Sequence, residues 1–231
     1  MIKLILFIIP TVYSIAGIGN IMALKGTAKI QKKNNSMIAA TSGMQIEQGD
    51  KIITENKTRA QIILKDDTII TIGENSTFQF DNFFFDGTKK STVSMSTSRG
   101  FFRSVTGKIG KLAPERFKVK TSSATIGIRG TDFSVRLQNA IERFRCYSGG
   151  IRITFGDTHK DLKPGESFEL NIHTLRAWVG QISGVNKDKD GLQGIDPADL
   201  NNIEKQNSDD VTYQYPRPDP IIPPGVPCQI K

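Results

Sequence analysis

The sequence predicts an all-β chain, a sandwich, roll or short solenoid, on three observations. From Thr27 to about Val179 it is a succession of alternating or β-branched runs, punctuated by turn residues at roughly 8 to 12-residue spacing. Little of that stretch has a 3.6-residue apolar period, so a parallel βαβ fold has no crossover helices to build with. The 21 Gly and 10 Pro among 231 residues are spread without a collagen-like repeat, a turn-rich composition that suits short strands. With 37% hydrophobic residues the chain can bury the core of one domain, with an appendage.

The elements follow in order. Met1-Ile2-Lys3 is a short basic start, Leu4 to Ile9 is an unbroken apolar run, and Ser14-Ile15-Ala16 places small residues before a leader cut. The expectation is a signal peptide over 1–16, with an alternative cut after Ala23. A competing reading is an uncleaved membrane anchor, since Leu4 to Leu24 approaches the ~20 residues that span a bilayer; Pro10, Gly17, Gly19 and Asn20 weaken it. Ala28 to Gln31 opens the body, and Ile52-Ile53 follows a Gly49-Asp50 turn. Ala60 to Leu64, the turn Lys65-Asp66-Asp67 and Thr68 to Ile72 make a hairpin. Phe78 to Phe80 leads into Asp81-Asn82-Phe83-Phe84-Phe85-Asp86-Gly87, whose three aromatics must face both sides of an extended strand. They are read as sealing an edge or lid over the core, with a ligand or partner surface as the alternative. Thr92 to Ser96 follows, and Val105 to Lys111, with Gly107 and Gly110, reads as a mobile loop. Phe117 to Lys120, Thr125 to Ile128, Phe133 to Leu137, Arg143 to Tyr147, Ile151 to Phe155, Ser167 to Leu170 and Leu175 to Val179 complete the strands. Beyond Gly184 the composition shifts to an acidic linker. Asn186 to Gly191 begins like a calcium loop, but Pro197 stands where the bidentate Glu is needed. Asp196 as N-cap, Pro197 at N1 and the Ile195/Leu200 staple mark a short helix to about Gln206, followed by a Pro-rich tail.

The net charge is +8, yet Lys3 contributes +1 and residues 186 to 231 hold five basic and eight acidic groups, so segment 17 to 185 carries +10. Arg99, Arg103, Lys108, Lys111, Arg116, Lys118 and Lys120 face a single acid, Glu115, and form the candidate interaction patch. An anionic glycan, lipid headgroups or an acidic protein face would suit it; a solvated basic loop is the plain alternative. A nucleic acid is not expected for an exported chain without a basic helix or RNA-type aromatic motif. Cys146 and Cys228 lack zinc-site spacing; in an oxidising compartment they could pair, or Cys146 could be a buried strand residue. With His159 and His173 the only imidazoles, and Asp66-Asp67 at a hairpin tip, no catalytic residue, metal or cofactor is expected.

Val119-Lys120-Thr121-Ser122-Ser123-Ala124-Thr125-Ile126-Gly127-Ile128-Arg129-Gly130-Thr131-Asp132-Phe133 closely resembles the hallmark segment of the FecR-type domain. Gly26-Thr27-Ala28, Gln48 to Ile52, Ala60 to Gly73, Gly100 to Arg103, Gly149 to Ile153 and Leu162 to Glu166 resemble the rest of its pattern in order, over residues 26–179. Asp66-Asp67 departs from the family's usual Asp-Gly. Within the hallmark, Gly127 and Gly130 are read as permitting a turn or bulge where a side chain would clash or φ must be positive. Arg129 is read as a buried anchor, with an anionic ligand as its alternative partner. Thr131 and Asp132 are assigned to freed backbone groups and Phe133 to the core.

In its best-known members this domain is the periplasmic part of a transmembrane anti-sigma regulator. The apolar stretch here begins at residue 2, so the resemblance implies an exported, stand-alone form, periplasmic or secreted, that does not hold a sigma factor directly. The expected function is a non-enzymatic interaction or sensory module whose partner is an envelope protein or anionic envelope polymer. The alternatives are a structural cell-surface scaffold, or a membrane-anchored regulator if the leader stays uncleaved.

Overall fold

The computed structural model describes residues 17–173 and 177–181. The leader over 1–16, the linker, helix and Pro-rich tail over 186–231, and Cys228 lie outside the described residues. Among the described residues seventeen strands form two layers, and the chain passes repeatedly from one to the other. Layer A carries, in spatial order, β4 (Gln45–Ile46), β1 (Gly19–Lys25), β6 (Arg59–Leu64), β7 (Ile69–Ile72), the second half of β9 (Thr92–Val105), β12 (Asp132–Gln138), β13 (Ile141–Ser148), β16 (Glu166–Asn171) and β17 (Ala177–Gln181). Layer B carries β3 (Met37–Ala39), β2 (Ala28–Gln31), β5 (Lys51–Thr54), β8 (Thr77–Phe84), the first half of β9, β10 (Phe117–Lys120), β11 (Thr125–Ile128), β14 (Ile151–Phe155) and β15 (Thr158–Leu162). Neighbours are antiparallel except β9 and β10, which makes the open network mixed.

β9 belongs to both layers, and its sequence shows how. Val93, Met95 and Thr97 point inward in layer B, whereas Phe102 and Ser104 point inward in layer A, so the alternation changes phase around Gly100. Gly100 has φ +91, and a Cβ there would overlap Ser76, so the crossover requires glycine. The inner faces form one core. Phe102, Phe133, Phe144 and Phe168 come from layer A and Phe78, Phe80, Met95 and Ile126 from layer B, each essentially inaccessible to solvent. Burial of each such side chain stabilises by about 1.5–3 kcal/mol. Rings meet across the layers where Phe78 lies 5.0 Å from Phe102 and Phe155 lies 5.4 Å from Phe168, centroid to centroid.

The two long edges of the sandwich differ. Along one, the chain turns between layers at residues 129–131, 149–150 and 163–165, and successive corners stack: Arg129 N–H donates to Gly150 O, and Gly165 N–H donates to Cys146 O. Helix α1 (Lys108–Leu112) closes this edge with Ile109 buried, and Ala113 beyond it is buried too. Lys108 and Ile109 donate their N–H groups to the carbonyl and carboxylate of Asp66. These bonds organise the expected mobile loop into the end of β9 and the start of α1. The opposite edge carries the β10–β11 and β12–β13 turns and the β9 crossover, whereas the β6–β7 turn lies at α1.

The strands reach from Gly19 to Gln181, beyond the expected 26–179 at both ends. Gly19–Lys25 pairs with β4 and β6, so Leu4 to Leu24 is not one continuous helix. No helix of the described residues is long and apolar enough to cross a membrane. In the aromatic run Phe83 is buried, Phe85 packs against the core and Phe84 is exposed, so two of the three rings seal the layer.

Candidate interaction surface

The hallmark residues build the first of the stacked corners. Thr131 holds it in four directions: its Oγ1 accepts Arg129 N–H and donates to Gly150 O, its N–H donates to Thr106 Oγ1, and its carbonyl accepts Thr106 N–H. Gly130 has φ +58, and a Cβ on Gly149 of the next corner would overlap the Gly130 carbonyl. The expected glycine requirement therefore applies to Gly130 and not to Gly127, where a Cβ would meet nothing within 4 Å and φ is not positive. Arg129 is exposed rather than a buried anchor. The anchoring pair is Arg103 with Asp132, two parallel bonds of 2.9 and 2.7 Å. Phe133 enters the core against Phe102.

Arg103 also introduces a surface. In layer A the register places Gln61 beside Thr71, Thr71 beside Arg103, Arg103 beside Ser134, Ser134 beside Arg145, and Arg145 beside Ser167. The neighbouring row runs Phe101, Arg136, Arg143 and Glu169, with Arg59 on the same face two residues before Gln61. Directly opposed residues share a face. The outer face of layer A thus gathers Arg59, Arg103, Arg136, Arg143 and Arg145 around the carboxylates Asp132 and Glu169. Aromatic rings position two of the guanidinium groups: Arg103 lies 4.6 Å from the Tyr147 centroid and Arg136 lies 4.9 Å from that of Phe101. Arg143 bonds Glu169 at 2.6 Å. Burial, and then the positive charges of Arg103 and Arg136, hold the pKa of Arg59 down to about 10. A cation placed in a positive field marks a surface with capacity for an anion.

The seven residues of the sequence-derived patch are not brought together. Arg103 belongs to the arginine face, whereas Lys118 and Lys120 are exposed on the outer face of layer B. Lys108 and Lys111 lie on α1, where Lys108 pairs with Asp67 at 2.8 Å. Arg116 donates to Lys90 O, and Arg99 is exposed at the layer crossover. Arg59, Arg136, Arg143 and Arg145 were not selected from the sequence because they are dispersed along the chain. The period-two spacing of Arg59 with Gln61, and of Arg143 and Arg145 with Tyr147, was the available signal. Asp66 is fully buried and accepts from Thr68 and Ile109, while Asp67 takes φ +66 at the position where the family's Gly would stand. Cys146 is a buried free thiol, with its pKa pushed up to about 11 by burial and then by Asp132 and Glu166.

Two solved structures from Parabacteroides distasonis ATCC 8503, each described as a candidate anti-sigma factor, are similar at 14% and 15% identity with TM-scores of 0.49 and 0.48. Each comparison covers 60% of this chain, which spans 62% and 63% of the length of those structures. A cell surface anchoring domain is 27% identical over 27% of this chain and 82% of its own length, with a TM-score of 0.26. No curated protein sequence matches the chain. The family model of the FecR protein matches residues 50–152, from the turn before β5 through the hallmark corner into β14, and in that segment the chain carries a FecR domain.

Proposed function

We propose that this chain is a non-enzymatic, exported module of the cell envelope with a regulatory or sensory role, and that it recognises an acidic protein partner through the arginine face of layer A. The FecR domain supports the regulatory role. The observation that carries the surface is the gathering of five guanidinium groups around two carboxylates, with Arg59 held in the field of its neighbours. A leader cut after Ala16 would leave β1 whole, which supports that cut over one after Ala23. The reading requires no cofactor, nucleic acid or direct contact with a sigma factor.

Photo-crosslinking in intact cells tests it, with a benzophenone amino acid replacing Tyr147 on the arginine face and, as a control, Lys118 on layer B. The expected result is one defined protein adduct at position 147 that is lost when Arg136→Gln and Arg143→Gln are combined. A heterogeneous polymeric ladder would instead favour the scaffold reading. Adducts from position 118 alone would overturn the assignment of the surface.

A further inference from the structure

The open edge of the sandwich, opposite the stacked corners, holds a cavity of about 400 Å³ between the hairpin turns of the two layers. This lies in the size range of small-molecule sites. Its wall includes Glu142, which is only 2% exposed and projects inward from β13. Glu142 Oε2 accepts the Thr121 hydroxyl at 2.6 Å, a bond that ties layer A to the β10–β11 turn of layer B. Its Oε1 is buried and has no hydrogen-bond partner among the described residues. A carboxylate oxygen removed from water without a donor is unfavourable, so this position favours a guest that brings one.

The other residues lining the cavity narrow the guest's chemistry. Arg99, exposed at the layer crossover, lines the same cavity, and a guanidinium suits a carboxylate. Leu137, Ile141 and Ile172 supply an apolar patch, whereas no aromatic ring lines the wall among the described residues. That composition lacks the platform on which a sugar ring would stack, and with Glu74 beside Glu142 and Arg136 beside Arg99 it pairs acceptors for an ammonium with forks for a carboxylate. The turn between β12 and β13 borders the cavity, with Asn139 at φ +51 and Ala140 at φ +62. Ile172 N–H donates to the Ala140 carbonyl and secures this turn against the strand end of β16.

We propose that this cavity is a binding site for a small zwitterion, an amino acid or a dipeptide with an apolar side chain. Its ammonium group meets Glu142, its carboxylate meets Arg99 and its side chain lies over Leu137, Ile141 and Ile172. The cavity borders the partner surface at Arg136, which also lines its wall, but the proposal and its test use Glu142 and Arg99 and do not depend on that reading.

The test is an amide chemical-shift titration of the folded chain with free leucine and with leucyl-leucine, each to about 10 mM, the weak end of specific binding. The expected result is saturable shifts at Asn139, Ile141 and Ser98 with one of the two probes, which also decides between amino acid and dipeptide. N-acetylation of that probe and Glu142→Gln should each weaken binding by about tenfold or more. Because Glu142→Gln also alters the bond to Thr121, Arg99→Ala at an exposed position provides the second variant, with a similar loss. A cavity that holds ordered water only, with no saturable shift for either probe, would overturn the proposal. So would equal affinity for the acetylated probe, or binding unchanged in Arg99→Ala.

Discussion

Gly127 and Gly149 stand about one strand pair apart in the corner architecture, yet they make opposite demands on a side chain. Gly149→Ala places a methyl group against the Gly130 carbonyl at φ +74 and should destabilise by about 2 kcal/mol or more, whereas Gly127→Ala should stay within about 0.5 kcal/mol. Urea denaturation of the two variants checks the pair. Arg59 makes a different prediction. Its lowered pKa means that the charged form is less favourable in the folded than in the unfolded chain, so the penalty is present at neutral pH and is relieved only above about 10. Arg59→Gln should therefore raise stability by about 0.5–2 kcal/mol while weakening capture of an acidic partner, as expected where a binding surface opposes stability. Thermal unfolding and partner crosslinking read the two effects separately. Cys146 should remain unlabelled by iodoacetamide at about pH 8 in the native protein and react once denaturant exposes it, because burial disfavours its thiolate. Peptide mass spectrometry distinguishes it from Cys228.

Among the elements, β9 is the one whose length the sequence understated. Thr92 to Ser96 reads as a strand because Val93 and Met95 alternate with polar residues. The phase change at Gly100 then conceals that Phe102 and Ser104 continue the same strand in the other layer. β9 pairs with β8 and β10 in one half and with β7 and β12 in the other. Its amides should exchange most slowly, and those of the short edge strand β3, whose three residues are all exposed, among the fastest. Hydrogen exchange by mass spectrometry resolves the two segments. The hairpin Arg59–Ile72 and the strands β13, β14 and β16 were legible for the same reason as the start of β9: alternation states which residues face inward. Alternation does not state which layer a hairpin joins. That information lies in hydrogen bonds between corners, such as Thr131 to Gly150, which join residues far apart in the chain. The arginine face was hidden for a related reason: Arg59 and Arg145 become neighbours only through register. β15, Thr-His-Lys-Asp-Leu, was missed because it is an edge strand whose charges discourage pairing with other chains.

At the scale of the molecule, the sandwich begins with residues that also read as the end of a leader. Ile18 and Ile21 are in the core, and β1 pairs with both β4 and β6. A protein beginning at Gly17 should fold fully. One beginning at Leu24 loses those two side chains and leaves β6 partly unpaired, with a midpoint lower by about 10 °C, from about 1.5–3 kcal/mol for each buried isoleucine. Calorimetry of the two forms decides between the cuts. Among the described strands, every hydrogen-bonded pairing between the chain before β9 and the chain after it is made by β9 itself. The two halves are thus panels hung on a single spine. Load applied to the arginine-bearing strands after β9 reaches the ladder of β1 to β8 through that strand, which can bend at Gly100, and through the bonds that tie α1 to Asp66 and Asp67 at the far end.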